Sequence, residues 1–390
     1  MTETLKQISK AIDGFRGDLR TMSDYIWDNP ETAYKEYKAC AAQVDFLARH
    51  GFEAKANVYG VETAYETRFE NGDGPTFAIA AEYDALPGIG HGCGHNLICS
   101  AGIAAFLAAV EYMKANNVKG TLVLLGTPAE ESEAGKVKML QNNCLDGVDA
   151  TMMVHPTWRT MKDMGSTACT RYMVEYFGKA AHAAGAPELG LNALDATLIL
   201  FNGINSYRQQ MPEFTRIHGV ILDAGKMPNI IPDHSSAKFY IRSTKEDWEE
   251  KLIARFKDIV KGAALMTGTE YKISMYSLPY MSRKPNAPMN DMYFSLAEEL
   301  GMAPEVVKEI GRGSSDFGNF SHACPGIHAY FAISDHKIPG HSIEMAEAAH
   351  TDFGFDMAMK AATAMAAIAL RFLSDGEFRA AVRKDFEKAD

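Results

Sequence analysis

Apolar residues recur along this chain in two rhythms, and the switch between them sketches its architecture. Residues 4–28 and 35–50 carry them at helical spacing, separated by Asn29-Pro30, with Gly51 placed as a C-cap and a candidate strand, FEAKANV, after it. TFAIAAEYD (76–84) is a near-continuous apolar run, the pattern of a strand buried on both faces. A strong helix pattern covers 96–115, TLVLLGT (121–127) is a second buried strand, a short helix fits 134–141, and ATMMVHP (150–156) is a third strand. Alternation of strand and helix predicts an α/β domain built on a mostly parallel sheet.

The rhythm changes near Gly165. TRYMVEYFGKA (170–180) alternates as a half-exposed strand does, and a helix fits 190–210. Strands are expected near 216–225 and 236–244, a helix over 246–266, and a strand in YKISMYS (271–277). This β-α-β-β-α-β order predicts a ferredoxin-like α+β unit. From about 282 the α/β character returns, with a helix near 289–300, a strand in IHAYFAI (327–333) and one long helix over 344–373. The economical division is one α/β domain, 1–165 and 282–390, interrupted by a smaller α+β domain, 166–281.

A chain of 390 residues exceeds the roughly 250–300 at which single cores stop growing, which agrees with two domains. Lys+Arg 39 against Asp+Glu 50 gives a net charge of −11, which argues against a general nucleic-acid or anionic-membrane binder but leaves anionic small substrates open. Cys40, Cys93, Cys99, Cys144, Cys169 and Cys324 are scattered without a disulfide framework and read as reduced thiols. The N-terminal segment is charged and amphipathic, without the apolar core of a signal peptide. No stretch reaches the roughly 18 uninterrupted apolar residues of a membrane span, and the alanine-rich segment near 356–373, with Lys360 inside it, reads as a core helix. The expected compartment is the cytoplasm.

Polar clusters follow three of the predicted strands. Asp84 through His95 (DALPGIGHGCGH) follows the first, Pro128-Ala129-Glu130-Glu131 the second, and His155-Pro156 ends the third. Ligands in open α/β sheets bind at the carboxyl ends of strands, so Cys93, His95, Glu131 and His155 are expected at one rim. Thiolate, imidazole and carboxylate together suit zinc or manganese. Each residue alone also reads as a solvated loop residue; agreement of three strand ends favours the metal reading. The Glu130-Glu131 pair invites a division of labour in which one carboxylate binds metal and its neighbour serves as general base.

PGIGHGCGHN, GTPAEE, VHP, GKAAHAA, MPNIIPDHSSAKFYIR and GSSDFGNFS, in this order, resemble the dinuclear metal-dependent peptidase and amidohydrolase family. That family holds the aminoacylases, carboxypeptidase G-type enzymes, succinyl-diaminopimelate desuccinylase and auxin-conjugate hydrolases; the resemblance is strongest to its aminobenzoyl-glutamate hydrolase and aminoacylase-1-like branch. The resemblance implies two divalent metal ions (zinc or manganese, with cobalt open), a catalytic domain and an inserted lid that dimerises. It implies Cys93, His95, Glu131 and His155 as ligands and Glu130 as general base and acid. His341 and His350 compete as the last ligand; His341, after a Pro-Gly turn, matches the family position better. His182 takes an oxyanion-stabilising role that reaches into the active site of a partner copy. Asn229 and Arg242 resemble residues that hold a substrate carboxylate or carbonyl, and Ser314 and Ser315 in the turn GSSD are offered to the same group. The chain departs from the wider family at Glu82-Tyr83-Asp84, where most members carry His-x-Asp. Cys93 then resembles the cysteine of the auxin-conjugate branch, and Asp84 either orients a ligand or structures its loop.

The activity implied is hydrolysis, by metal-activated water with a Glu general base, of the amide bond of N-acyl, aminoacyl or aroyl amino acids. The alternatives are a dipeptidase, a C–N hydrolase or deaminase acting on a non-peptidic amine, and a non-catalytic binding homologue. The last conflicts with the retention of every proposed ligand and of Glu130.

Overall fold

The near-continuous apolar runs form the centre of a sheet. In the computed structural model, which describes residues 2–308 and 313–388, strands β3 (Thr76–Ala81), β4 (Thr121–Gly126), β5 (Ala150–Thr157) and β10 (Gly326–Ala332) are parallel. Strands β1 (Lys55–Val58) and β2 (Val61–Glu70) extend it antiparallel beyond β4, giving the order β1-β2-β4-β3-β5-β10. Side chains alternate between two buried faces. Phe77, Ile79, Leu122, Leu124, Met152 and Val154 enter a core shared with α1 (Glu3–Asp28), α3 (His95–Asn116) and α10 (Asp352–Ser374). Ala78, Ala80, Val123, Leu125 and Met153 face α4 (Gly135–Leu140) and α8 (Phe317–Ala323), meeting Met139, Phe317 and Phe320. Each fully buried Leu, Met or Phe contributes about 1.5–3 kcal/mol. The remaining helices of this unit are α2 (Tyr37–Arg49), α7 (Ala287–Glu299), α9 (Ile343–Ala348) and α11 (Gly376–Lys388).

Helices α3 and α10 are long and apolar enough to cross a bilayer by length and composition, yet the apolar windows of both lie mostly inside the protein. Gly102 lets α3 approach β3; a Cβ there would stand 3.1 Å from that of Ala81.

The chain divides into two compact units, one of Met1–Gly165, Arg283–Ile310 and Ser315–Asp390, the other of Ser166–Ser282 and Gly311–Ser314. The second unit follows the β-α-β-β-α-β order, with β6 (Ala168–Phe177), α5 (Ala193–Tyr207), β7 (Thr215–Asp223), β8 (His234–Ser243), α6 (Glu246–Thr267) and β9 (Glu270–Met275). Its antiparallel sheet runs β7-β8-β6-β9. Leu200 of α5 and Phe256 of α6 pack with Tyr172, Val174, Tyr176, Phe239 and Ile241.

Several elements differ from the sequence expectation, which also lacks α8 and α11. Strand β2 is absent from it, because two of the strand's inward positions are Thr63 and Thr67, which break the apolar alternation. The single helix expected over 344–373 is two helices, α9 and α10. The chain turns between them and Thr351 caps the second, its hydroxyl accepting from the Gly354 N–H at 3.0 Å. His350 therefore lies in a turn and not inside a helix.

A buried ion pair in the first unit fixes the points where the chain leaves and returns. Arg283 donates from Nε to Asp163 at 3.0 Å, and from Nη2 to the Gly165 carbonyl and the Tyr330 hydroxyl, both at 2.8 Å. The other Asp163 oxygen accepts from the His328 N–H at 2.9 Å. Removing one member of a buried pair strands the other, so Asp163→Ala is expected to destabilise the first unit by about 3–5 kcal/mol in urea unfolding; a loss below about 1 kcal/mol would contradict this role.

Candidate metal and active site

The carboxyl ends of β3, β4 and β5 lie side by side in parallel register, so the loops that leave them converge. Three of the contributing loops pass through left-handed backbone. Gly94, the N-cap of α3, has φ +67, and a Cβ there would lie 2.7 Å from Pro156 Cγ. Glycine thus lets Cys93 and His95 close onto the strand end that carries His155. Ala129 (φ +63) and His341 (φ +56) adopt the same conformation without glycine's freedom, a local cost of about 1–2 kcal/mol each. Glu36 offsets it at Ala129, accepting the Ala129 N–H at 3.0 Å while its second oxygen accepts from the Thr63 hydroxyl at 2.8 Å. Burial, then Asp84, pushes the Glu36 carboxyl up to about 7.

Potential ligand atoms of Cys93, His95 and His155 lie within 4.8 Å of one another, and so do those of Cys93, Glu131 and His341, and those of His95, Glu130 and Glu131. The five residues expected as ligands are thus brought together. His341 Nε2 stands 3.5 Å from Glu131 Oε2. His350 is elsewhere: its ring stacks on Trp27 at 4.2 Å and its Nδ1 stands 3.3 Å from Asp24. His91 is also turned away, with its Nε2 3.0 Å from the Ile26 carbonyl.

Asp84 ties two of these loops together. One oxygen is 3.2 Å from His95 Nδ1, and the other accepts the Glu131 backbone N–H at 3.0 Å. Burial alone would raise this carboxyl, but His95, the Glu131 N–H and Lys136 hold it below its usual value. Against the effect of burial, Asp84 raises the His95 imidazole well above its usual range; a cation bound at Nε2 would displace the proton there and leave the remaining one on the Asp84 side. His155 is set the same way: its Nδ1 donates to the Pro156 carbonyl at 2.8 Å, leaving Nε2 as the open atom. Burial, and then His95, pushes His155 down to about 3, so it stays neutral as a ligand must.

The donor set fits a cation. His95 Nε2, Glu82 Oε2 and Glu131 Oε1 are buried without a hydrogen-bond partner; the His95 nitrogen is 3.5 Å from the first oxygen and 3.8 Å from the second. A buried polar atom left unpaired costs about 1–3 kcal/mol, and a divalent ion held by His95 and Glu131 would satisfy their two atoms. Cys93 depends on such an ion to ionise. Burial, then Glu131, raises its thiol well above the usual range, whereas a bound cation favours the thiolate.

Glu130 is buried, and burial, followed by Glu131, Glu82 and Asp316, raises its carboxyl well above the ordinary range. Two residues beside it do not stand out in the sequence. Lys136 at the start of α4 is fully buried and contacts Glu82 at 2.6 Å and Asp316 at 2.7 Å. Two lysines occur in GKVKML; only Lys138, over the Tyr34 ring at 4.9 Å, is partly exposed, and nothing local in the sequence separates them.

In the second unit, His182 is exposed. Its Nδ1 accepts the N–H groups of Ala184 and Gly185 at 3.2 and 3.0 Å, which places the ring proton on Nε2. Asn229 is adjacent, its carbonyl accepting from the Ala183 N–H at 3.0 Å. Arg242 lies toward the other end of the sheet. It donates to the Ser314 hydroxyl at 2.8 Å and to His218 at 3.2 Å. Ser315, in the first unit, accepts from the Phe317 N–H at 3.2 Å and so serves the start of α8. His182 and Asn229 flank the Phe177–His234 end of β6 and β8, whereas Arg242 sits beside the terminal Ser243. At about 3.3 Å per residue, the two groups are separated by roughly 25–30 Å of strand.

An α/β fold with thiol, imidazole and carboxylate groups gathered at its strand ends has the donor types of a divalent-metal site. The chain belongs to the peptidase family M20/M25/M40, whose model matches residues 78–371, and it is accordingly an enzyme that cleaves amide and peptide bonds. It is 34% identical to the Xaa-Arg dipeptidase of Mus musculus over 98% of this chain and 92% of the mouse protein. It is 31% identical to a p-aminobenzoyl-glutamate hydrolase polypeptide of Escherichia coli K12 over 78% of this chain and 69% of that one. Among solved structures, the YXEP protein of Bacillus subtilis, described as a dinuclear metal-binding peptidase of the M20 family, has a similar fold. It gives a TM-score of 0.71 at 20% identity, covering 93% of this chain and 99% of that chain.

Because Asp84 sets both the tautomer of His95 and the position of Glu131, Asp84→Asn is expected to weaken divalent-ion affinity about 10- to 100-fold. Titration of the chelator-stripped protein with zinc or manganese reads this, and unchanged affinity would rule it out.

Proposed function

We propose that Cys93, His95, Glu131, His155 and His341 hold two divalent cations, zinc or manganese with cobalt as a third candidate. We further propose that the chain hydrolyses the amide bond of N-acyl, N-aroyl or aminoacyl amino acids, dipeptides among them. The observation that carries this reading is the pair of buried, unpartnered donor atoms on His95 and Glu131, within ligand distance of the other proposed ligands. Bound there, the cations would supply Lewis acidity and lower the pKa of water. Glu130 accepts the proton of the attacking water and returns it to the departing amine nitrogen; a buried carboxyl with a raised proton affinity suits both halves of that transfer. His182, with its proton on the exposed Nε2, is the donor to the developing oxyanion. Asn229 and Arg242 hold the carbonyl and the α-carboxylate of the substrate, with Ser314 fixing the Arg242 fork and Ser315 beside it in sequence.

The wide spacing of His182 and Arg242 along one sheet supports a homodimer in which each chain lends His182 to its partner's site. Edge strand β7 supports the same reading: Val220, Ile221 and Leu222 are exposed along it, an unpaired apolar edge suited to a second copy. Six free, buried cysteines are in keeping with a reducing compartment such as the cytoplasm.

The test is release of a free amino acid from a panel of p-aminobenzoyl-glutamate, indole-3-acetyl-aspartate, N-acetyl amino acids and Xaa-Arg dipeptides, each with zinc, manganese or cobalt. Ammonia in place of an amino acid would favour the deaminase alternative, and no turnover at all the binding homologue. Glu130→Ala is expected to keep metal and fold while hydrolysis falls about 100- to 10,000-fold; retained turnover would remove Glu130 from its role. Mixing inactive Glu130→Ala with inactive His182→Ala chains should restore roughly a quarter of wild-type activity, because each mixed dimer keeps one intact site. Absence of restoration after verified exchange of chains would sink the in-trans assignment.

A further inference from the structure

The ligand set accounts for one part of the buried charge and leaves another unexplained. Beside the proposed ligands, oxygens of Glu82, Glu130 and Asp316 lie within 4.8 Å of one another, all in buried residues. Three carboxylates at that spacing are what a hard divalent ion takes as ligands. The ammonium of Lys136 stands among them instead, 2.6 Å from Glu82 Oε1 and 2.7 Å from Asp316 Oδ1. Asp316 grips the same residue twice, since its second oxygen accepts the Lys136 backbone N–H at 2.8 Å. The contacts come from three separate elements: the end of β3, the start of α4 and the start of α8. The side chain is fully buried, so the pairing serves no surface purpose. A compact ammonium, not a planar guanidinium, suits a nest that must also admit Glu130.

We propose that Lys136 is a positioning residue. Its ammonium is the covalently tethered counter-ion of the Glu82–Glu130–Asp316 nest, and it keeps Glu130 out of ion coordination and in position for proton transfer. This rests on the assignment of Glu130 as general base. Lys136 engages one oxygen of Glu82 and leaves Oε2 facing His95 Nε2 at 3.5 Å, so the same ammonium sets how Glu82 borders the proposed metal ligands. Replacing a buried ion pair by neutral groups of similar volume is often tolerated, whereas removing one partner alone leaves uncompensated charge. That contrast makes the role separable from folding.

The experiment compares wild type, Lys136→Met, and a charge-neutral triple variant, Lys136→Met with Glu82→Gln and Asp316→Asn. Each chelator-stripped protein is titrated with Mn2+ alone, bound ions are counted by electron paramagnetic resonance, and kcat and KM are measured on the best panel substrate. Lys136→Met should bind one more Mn2+ per chain than wild type, with kcat lowered about tenfold or more and KM within about twofold. The triple variant should bind the wild-type number of ions and still show the lowered kcat, because Glu130 has lost the ammonium that positions it even though no extra ion competes for it. A wild-type ion count in folded Lys136→Met, or wild-type kcat in either variant, overturns the proposal. Should Lys136→Met fail to fold, the triple variant decides it through kcat at constant ion count. Activity retained by Glu130→Ala would overturn the general-base reading on its own, while the ion count of Lys136→Met reports on the nest independently of catalysis.

Discussion

Negative charge gathered in a buried place is the constraint that shapes this protein. Glu82, Asp84, Glu130 and Asp316 are all buried around the ends of β3 and β4, with Glu131 beside them and a cysteine within ligand distance. Lys136 is the ammonium bonded among them. Like charges at these distances in a low-dielectric interior repel strongly, and burial together with Asp316's acidic neighbour Glu82 raises its carboxyl to about 6 even against the opposing pull of Lys136. A chain that keeps so many acids in one place must either protonate them or supply cations. The two divalent ions proposed for the site would balance the charge in a way that protonation, which would remove both the proposed ligands and the proposed base, does not.

The loops meet this demand by accepting local strain. Ala129 and His341 sit in left-handed backbone that glycine would adopt freely, and both are next to or at positions that carry the proposed chemistry. Strain persists only where surrounding contacts over-determine it. At Ala129 those contacts are visible: the Glu36 carboxylate takes the amide, and Asp84 takes the amide of Glu131 two residues later. Backbone hydrogen bonds to buried carboxylates thus do two things at once. They lower the cost of the acids and aim the Glu130-Glu131 pair.

Most of this architecture is legible in the sequence, and the parts that are not share a reason. Strands buried on both faces announce themselves as apolar runs, so β3, β4, β5 and β10 are readable, as is the shift to alternating strands after Gly165. Strand β2 is hidden because Thr63 and Thr67 occupy inward positions. The helix break at 349–351 is hidden because alanine-rich stretches lie on both sides of it, and the Thr351 cap marks the turn. At the site, Cys93, His95 and Glu131 stand out because each follows a strand, and His155 because it lies near the end of one. Lys136 and Asp316 do not, because they are 180 residues apart and each looks like an ordinary charged residue at a helix start. Periodicity reports which face a residue occupies; it does not report that two distant charges are buried against each other.

The second unit raises a geometric point that bears on the whole reaction. His182 and Asn229 lie near one end of the four-stranded sheet and Arg242 with Ser314 near the other, so no single small substrate spans both groups within one copy of that unit. Arg242 is committed to Ser314 and His218, a fixed fork rather than a mobile one. His182 is held by two backbone amides with its remaining nitrogen exposed. Both are preorganised, which is what a residue acting on developing charge or on a carboxylate needs. Preorganised groups too far apart to meet on one sheet make sense when a second copy brings the opposite end of its sheet to the first. The exposed apolar residues along β7 supply a surface on which that meeting would exclude water.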